Sequence, residues 1–277
     1  MAYRITIDVR KSVSGNAEFY YEAAKRAKQK LAGAKRALED TRKKIEELEK
    51  KEITRAQAVP EVQKAREKRW FDKFHSFNSS DGFFVVGGKD ATTNEILIKK
   101  HLENMDVVFH ADIQGAPFFV IKNPEGGSIP ERTLMETAQA AASYSKAWKL
   151  GLGSCDVYYV KPEQVSKQAP SGEYVAKGAF MIHGKKEWFR GVRLEIAVGF
   201  RVNDEAEVLS GPPGAIEAGS GYFVRLTAGD VKSEELAREI KAIILQKAKK
   251  DDMEKIRKVR LEEIQRLIPG GKGRIIK

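Results

Sequence analysis

The 277-residue sequence has one cysteine, Cys155, only four histidines and no run of about twenty apolar residues. A single cysteine leaves no intramolecular disulfide and no cysteine-based metal centre, which fits a reducing compartment. Without a long apolar run there is no membrane-spanning candidate, and the polar start RITIDVRKSVSG does not read as a signal peptide. A cytoplasmic protein with no membrane partner is therefore expected. A zinc centre needs three or four compact ligands, and His101, Asp106, His110 and Asp112 are the only cluster with the right donor types. His183 and His110 are candidate bases and Ser166 and Ser171 candidate nucleophiles, but no G-x-S-x-G elbow accompanies them. Gly87-Gly88-Lys89-Asp90 lacks the G-K-[ST] pattern of a nucleotide-phosphate loop. These absences point away from catalysis: no enzyme activity, no cofactor and no metal are expected.

What is present is charge and a core. Hydrophobic residues make up 42% of the chain, enough for a sizeable interior. Lys and Arg number 50 against 39 Asp and Glu, a net charge of +11 that favours a polyanionic partner, nucleic acid first. The first 69 residues hold 19 basic and 11 acidic residues and are the more electropositive part.

The hydrophobic pattern divides the chain. Tyr3 to Val9 alternates like a short strand, and Ser14-Gly15-Asn16 can cap a helix. Leu31, Ala34, Leu38, Thr41, Ile45 and Leu48 then recur at alternating three- and four-residue spacings, a seam that needs a partner helix. The segment after Pro60, with Val62 and Ala65, supplies one if the chain turns near Ala58 to Pro60. Residues 1–69 are thus expected to form a basic coiled-coil hairpin. From Trp70 the chain becomes aromatic and Gly-punctuated. Strands are expected at Phe83–Val86, Val107–His110, Pro117–Ile121, Asp156–Val160, Ala179–His183 and Leu194–Val202, with helices at Asn94–Leu102 and Pro130–Trp148. Val208-Leu209 and Tyr222–Leu226 read as a hairpin around the segment 211–221. Ser233 reads as the cap of a long helix that breaks near Lys249–Asp252, and Ile268–Arg274 as a flexible basic tail. The expected fold class is α+β, a mixed or antiparallel sheet with packed helices, divided as 1–69, 70–205 and 206–277.

Rings interleaved with cations are the main chemical signal, because rings stack on bases while cations neutralise phosphates. Arg69 to Phe77 has this character, with Lys73 and His75 expected at the surface. Trp70, Phe71, Phe74 and Phe77 also read as core, Trp70 and Phe74 above all. Lys99, Lys100, Lys161, Lys167, Lys177, Lys185 and Lys186 fall near predicted turns and are candidate RNA contacts. Ser171, in the turn Pro170-Ser171-Gly172, and Lys167 can together hold a phosphate. FHADIQGAPFFVIK reads as two strands joined by a turn over Asp112–Gly115, placing His110 and Asp112 on an RNA-facing edge. Two alternatives compete: a metal-assisted RNA hydrolase centred on His101, His110 and Asp112, and a coiled-coil interaction scaffold.

Three stretches in order, RWFDKFHSFNSSDGFFVVGGKDATTNEILIKKHL, DVVFHADIQGAPFFVIKN and QVSKQAPSGEYVAKGAFMIHGKK, resemble the NFACT-R domain of the NFACT family, the NEMF-like and RqcH-like factors of ribosome-associated quality control. The preceding NAEFYYEAAKRAKQKLAGAKRALE is similar to the family's coiled-coil middle region, and the C-terminal part to archaeal-type members. The resemblance implies binding to the large ribosomal subunit carrying stalled peptidyl-tRNA. It further implies contacts with tRNA and rRNA, a coiled-coil contact with a ribosomal protein, and support for tRNA recruitment during C-terminal tailing of nascent chains. Segments similar to the family's NFACT-N and helix-hairpin-helix parts, both involved in tRNA recognition, are missing from the stretch before the coiled coil.

Overall fold

The computed structural model describes residues 6–57, 69–167 and 176–276. The chain forms two compact units, 1–67 and 68–277.

The first unit is dominated by one 45-residue helix, α1 (Val13–Gln57), about 68 Å long at 1.5 Å per residue. Before it, residues 6–9 form no strand. The Asp8 N–H instead donates to Asn16 Oδ1 at 2.8 Å, and Ser12 Oγ accepts the Gly15 N–H at 3.1 Å, so this stretch folds back as a cap on the helix start. Leu31, Leu38 and Ile45 are 57, 59 and 49% exposed, a stripe at seven-residue spacing with no covering layer among the described residues. The returning helix expected after Pro60 lies outside the described residues.

The second unit contains β1 (His75–Asn78), β2 (Phe84–Gly87), α2 (Ala91–His101), β3 (Val107–Ala111), β4 (Phe118–Ile121), α3 (Glu131–Ser143), α4 (Lys146–Lys149) and β5 (Ser154–Val160). It continues with β6 (Val165–Ser166), β7 (Met181–Ile182), β8 (Glu187–Arg193), β9 (Glu195–Val202), β10 (Ala206–Gly211), α5 (Pro213–Gly219), β11 (Tyr222–Lys232), α6 (Ser233–Lys247), α7 (Lys250–Lys258), α8 (Leu261–Gln265) and β12 (Lys272–Ile275). Six strands form one sheet in the order β1-β2-β4-β3-β5-β8, four form another in the order β10-β9-β11-β12, and β6 pairs with β7. Every described pairing is antiparallel, so the unit is α+β, as the pattern predicts. Strands on both sides of position 205 hydrogen-bond to one another in the four-stranded sheet.

The six-stranded sheet has a core on each face because its central strands alternate between them. Phe109, Phe119 and Ile121 enter a large core with Trp148, Ile196, Leu226 and Ile240, while Val108, Phe118 and Val120 pack with Leu97 and Ile98 of α2. Truncating a ring such as Phe109 or Phe119, both 0% exposed, would cost about 3–5 kcal/mol. Ala138, Ala140, Ala141 and Ala142 are fully buried, so α3 approaches the sheets closely.

Five expectations are corrected. The helix expected over Pro130–Trp148 breaks at Tyr144-Ser145, because Ser145 caps α4 by accepting the Ala147 N–H at 3.1 Å. β10 and β11 do not pair with each other; both flank β9, since residues 213–219 form a helix rather than a turn. The tail is neither loose nor irregular: β12 pairs with β11, and Trp148 Nε1 donates to Lys272 O at 2.7 Å. Ser233 lies inside α6, whose cap position is Lys232 without a side-chain bond. Trp70 is 42% exposed and stacks on His101 with centroids 4.2 Å apart, whereas Phe74 is buried as expected.

Candidate nucleic-acid interface

Register alone builds a row of rings across one sheet face. His110 of β3 stands opposite Phe118 of β4 and Tyr158 of β5, and Tyr158 stands opposite Trp188 of β8. Cations cover the outer end: the Lys186 ammonium lies 4.3 Å from the Tyr158 ring centroid, and the Arg190 guanidinium 4.0 Å from that of Trp188. His110 is committed on both sides. Its Nε2 is 3.1 Å from Ala116 O and its Nδ1 is 3.4 Å from the Tyr158 hydroxyl, so the neutral ring donates to the carbonyl and accepts from the phenol. Burial lowers its pKa to about 4, keeping it uncharged. The turn after it is made possible by Gly115 at φ +78°, and the Asp112 backbone N–H is tied to Asp156 O at 2.8 Å.

At the other end of the row the chain forms a cleft of about 610 Å³. One wall is the loop from β2 into α2. A Cβ at Gly88 would lie 1.9 Å from Asn94 Oδ1, so glycine is what admits the Asn94 side chain. Asn94 Oδ1 accepts the Phe118 N–H at 3.2 Å, Asn94 lines the cleft, and its amide NH2 has no hydrogen-bond partner among the described residues. Asp90 caps α2, accepting the Thr93 N–H at 2.8 Å, and this bond holds its carboxyl below the usual range. The break between α3 and α4 brings Tyr144, Lys146 and Lys149 to a second wall, and residues 266–270 form a third.

The cleft is strongly basic. Lys89, Lys146, Lys149, Lys177 and Arg266 line it, and Asp90 is its only acidic lining residue among the described residues. Among the described residues none of the five makes a salt bridge, and burial, with a smaller contribution from Arg266, holds Lys89 below the ordinary lysine value. His75 also lines the cleft, its ring 4.1 Å from that of Tyr144, with no hydrogen bond among the described residues. Burial lowers the His75 pKa to about 3, so this imidazole too is neutral.

Of the candidates read from the sequence, His75, His110 and Lys177 meet in the cleft, and Lys186 stands on the ring row. Others are occupied. Lys99 and Lys167 both pair with Glu95, at 2.6 and 2.9 Å, and Lys167 also donates to Ala176 O and Ala179 O. Lys185 pairs with Glu187 at 2.8 Å. Lys73, Lys100, Lys161 and Asp112 are exposed away from the cleft lining, and Ser171 lies outside the described residues. Sequence reading missed Lys89, Asn94, Tyr144, Lys146, Lys149 and Arg266. The only local signal was Gly87-Gly88-Lys89-Asp90, set aside for lacking a nucleotide-loop pattern. Among the described residues no group of three His, Cys, Asp or Glu could hold a metal.

A family model described as the NFACT protein RNA binding domain matches residues 73–184. Over 213 residues, 76% of this chain, the sequence is 41% identical to the archaeal Rqc2 homolog aRqcH of Methanocaldococcus jannaschii. The chain belongs to the NFACT family. It is also 37% identical over 206 residues to the ribosome quality control complex subunit NEMF homolog of Drosophila melanogaster, covering 72% of this chain and 20% of that one. Against ribosome quality control complex subunit NEMF of Homo sapiens it is 42% identical over 173 residues, 62% of this chain and 16% of that one. The chain spans under a third of the length of these relatives, 30% for the archaeal one. The NFACT match contains every cleft cation except Arg266, and it ends before Lys186, Trp188 and Arg190 of the ring row.

Proposed function

We propose that this chain is the RNA- and ribosome-binding portion of a cytoplasmic ribosome-associated quality control factor. It engages the large ribosomal subunit with stalled peptidyl-tRNA, contacts tRNA and rRNA, and supports tRNA recruitment for C-terminal tailing. It positions RNA and carries out no reaction itself. The observation that carries this reading is the convergence on one cleft of five cations, none of them salt-bridged among the described residues and four of them inside the match to the NFACT RNA-binding domain. Phosphates neutralised there release counterions, so affinity falls steeply with salt. The test is binding of the chain to large subunits and to tRNA across a salt series; absence of binding at low salt removes the reading. A hydrolase centred on His110 is disfavoured because both ring nitrogens are engaged within the fold.

A second role rests on α1. Its exposed Leu31, Leu38 and Ile45 suit a coiled-coil contact, with a ribosomal protein or a second copy as the partner. Mass in solution with and without ribosomes decides between those partners.

A further inference from the structure

The polar groups of the cleft differ in burial. Its five cations are exposed, while Asn94 is buried and His75 half-buried, and neither the Asn94 amide NH2 nor the His75 ring has a hydrogen-bond partner among the described residues. A neutral imidazole presents one donor and one acceptor, and the Asn94 amide presents two donors. An acceptor nitrogen is unsuited to a phosphate, which offers acceptor oxygens, and suited to a nucleobase edge, which offers both kinds of group. The volume, about 610 Å³, falls within the range of small-molecule sites.

We propose that the cleft holds one unstacked nucleotide of a bound RNA, with its phosphates on Lys89, Lys146, Lys149, Lys177 and Arg266 and its base beside Asn94 and His75. This deepens the RNA-binding reading above and rests on it. On the far side of His110 the half-buried Trp188, with Lys186 and Arg190 beside it, borders the path of neighbouring nucleotides, while Tyr158 is buried in the core beneath. His110 is then a wall between the two, its hydrogen bonds already made to Ala116 and Tyr158.

The experiment uses the full chain and a labelled single-stranded RNA of mixed sequence, read by fluorescence anisotropy. The four ribonucleoside 5′-monophosphates, singly, and inorganic phosphate serve as competitors. At least one monophosphate is expected to displace the RNA at a concentration tenfold or more below that of phosphate, and to shift the Asn94 side-chain amide in ¹H–¹⁵N spectra. Lys146→Glu with Lys149→Glu, both on the cleft wall, is expected to raise the RNA Kd about tenfold with the spectrum of the folded core retained. Equal competition by phosphate and by every monophosphate overturns the base-binding part. Monophosphate binding unaccompanied by RNA binding overturns an RNA-borne nucleotide in favour of a free one. Unchanged RNA affinity in the double variant, with Asn94 unmoved, overturns the cleft as the site while leaving the RNA-binding reading standing. No binding of RNA or of any monophosphate by the unaltered chain removes both.

Discussion

Along one face of α2, Glu95 draws Lys99 and Lys167 into ion pairs and accepts the Gly178 N–H at 2.8 Å, and these contacts lower its pKa to about 2. At the start of the same helix, Lys89 and the four other cleft cations make no salt bridge among the described residues, and Asp90, the acidic residue among those lining the cleft, already accepts the Thr93 N–H. Both places are rich in lysine. Near Glu95 that charge ties Lys167 to the helix; in the cleft it stays available to an outside anion. Lysine count therefore says little about binding until the carboxylates are located.

That contrast is broken most strongly by removing cleft charge. Lys89→Ala with Arg266→Ala should weaken RNA binding tenfold or more at 50 mM salt. It should also flatten the log–log salt slope by about 1.4, the figure for two lost contacts to a single strand. Next in size is acid sensitivity. His75 and His110 titrate near 3 and 4 in the folded chain and near 6.5 when unfolded, so the unfolded chain takes up their protons first. Their contribution to stability is complete above pH 6.5 and is lost as pH falls toward 4 and then 3. Each should cost up to about 2–3 kcal/mol by pH 4.5, seen as a falling urea midpoint, and His75→Phe should remove its share of that slope. Smaller still, Glu95→Gln should release Lys99, while Lys167 keeps its bonds to Ala176 O and Ala179 O, raising low-salt RNA affinity about twofold with a slightly steeper salt slope. The least effect is expected from Lys99→Ala with Lys185→Ala, under twofold in RNA Kd, because both are already paired.

Parts of the fold were legible wherever local pattern and tertiary environment agree. The strand pair Val107–Ala111 and Phe118–Ile121 with its Asp112–Gly115 turn, α2, and the apolar face of α6 all follow from spacing. β8 was not legible: Glu187–Arg193 is an edge strand with charged residues and Gly191 in it, and its strand character comes from pairing with β5. The segment 268–274, basic and glycine-rich, becomes ordered because β11 offers an open edge to β12. The cleft was illegible for the same reason. Its cations come from positions 89, 146, 149, 177 and 266, and no window of sequence holds more than two of them. The motif FHADIQGAPFFVIK reads as an RNA-facing edge, with a reactive centre as the competing alternative; the distances show His110 as a hydrogen-bonded partition.

The bond from Trp148 Nε1 to Lys272 O joins groups 124 residues apart, and it sits next to the cleft wall formed by residues 266–270. Contacts of such long sequence separation are slow to form, since loop closure precedes any gain from them. During synthesis, residues 75–178 emerge with most of the cleft while Arg266 and its wall are still unmade. The basic surface thus becomes a closed-sided cleft only late in maturation, and an incompletely translated chain would present its lysines without the enclosure that selects among anions.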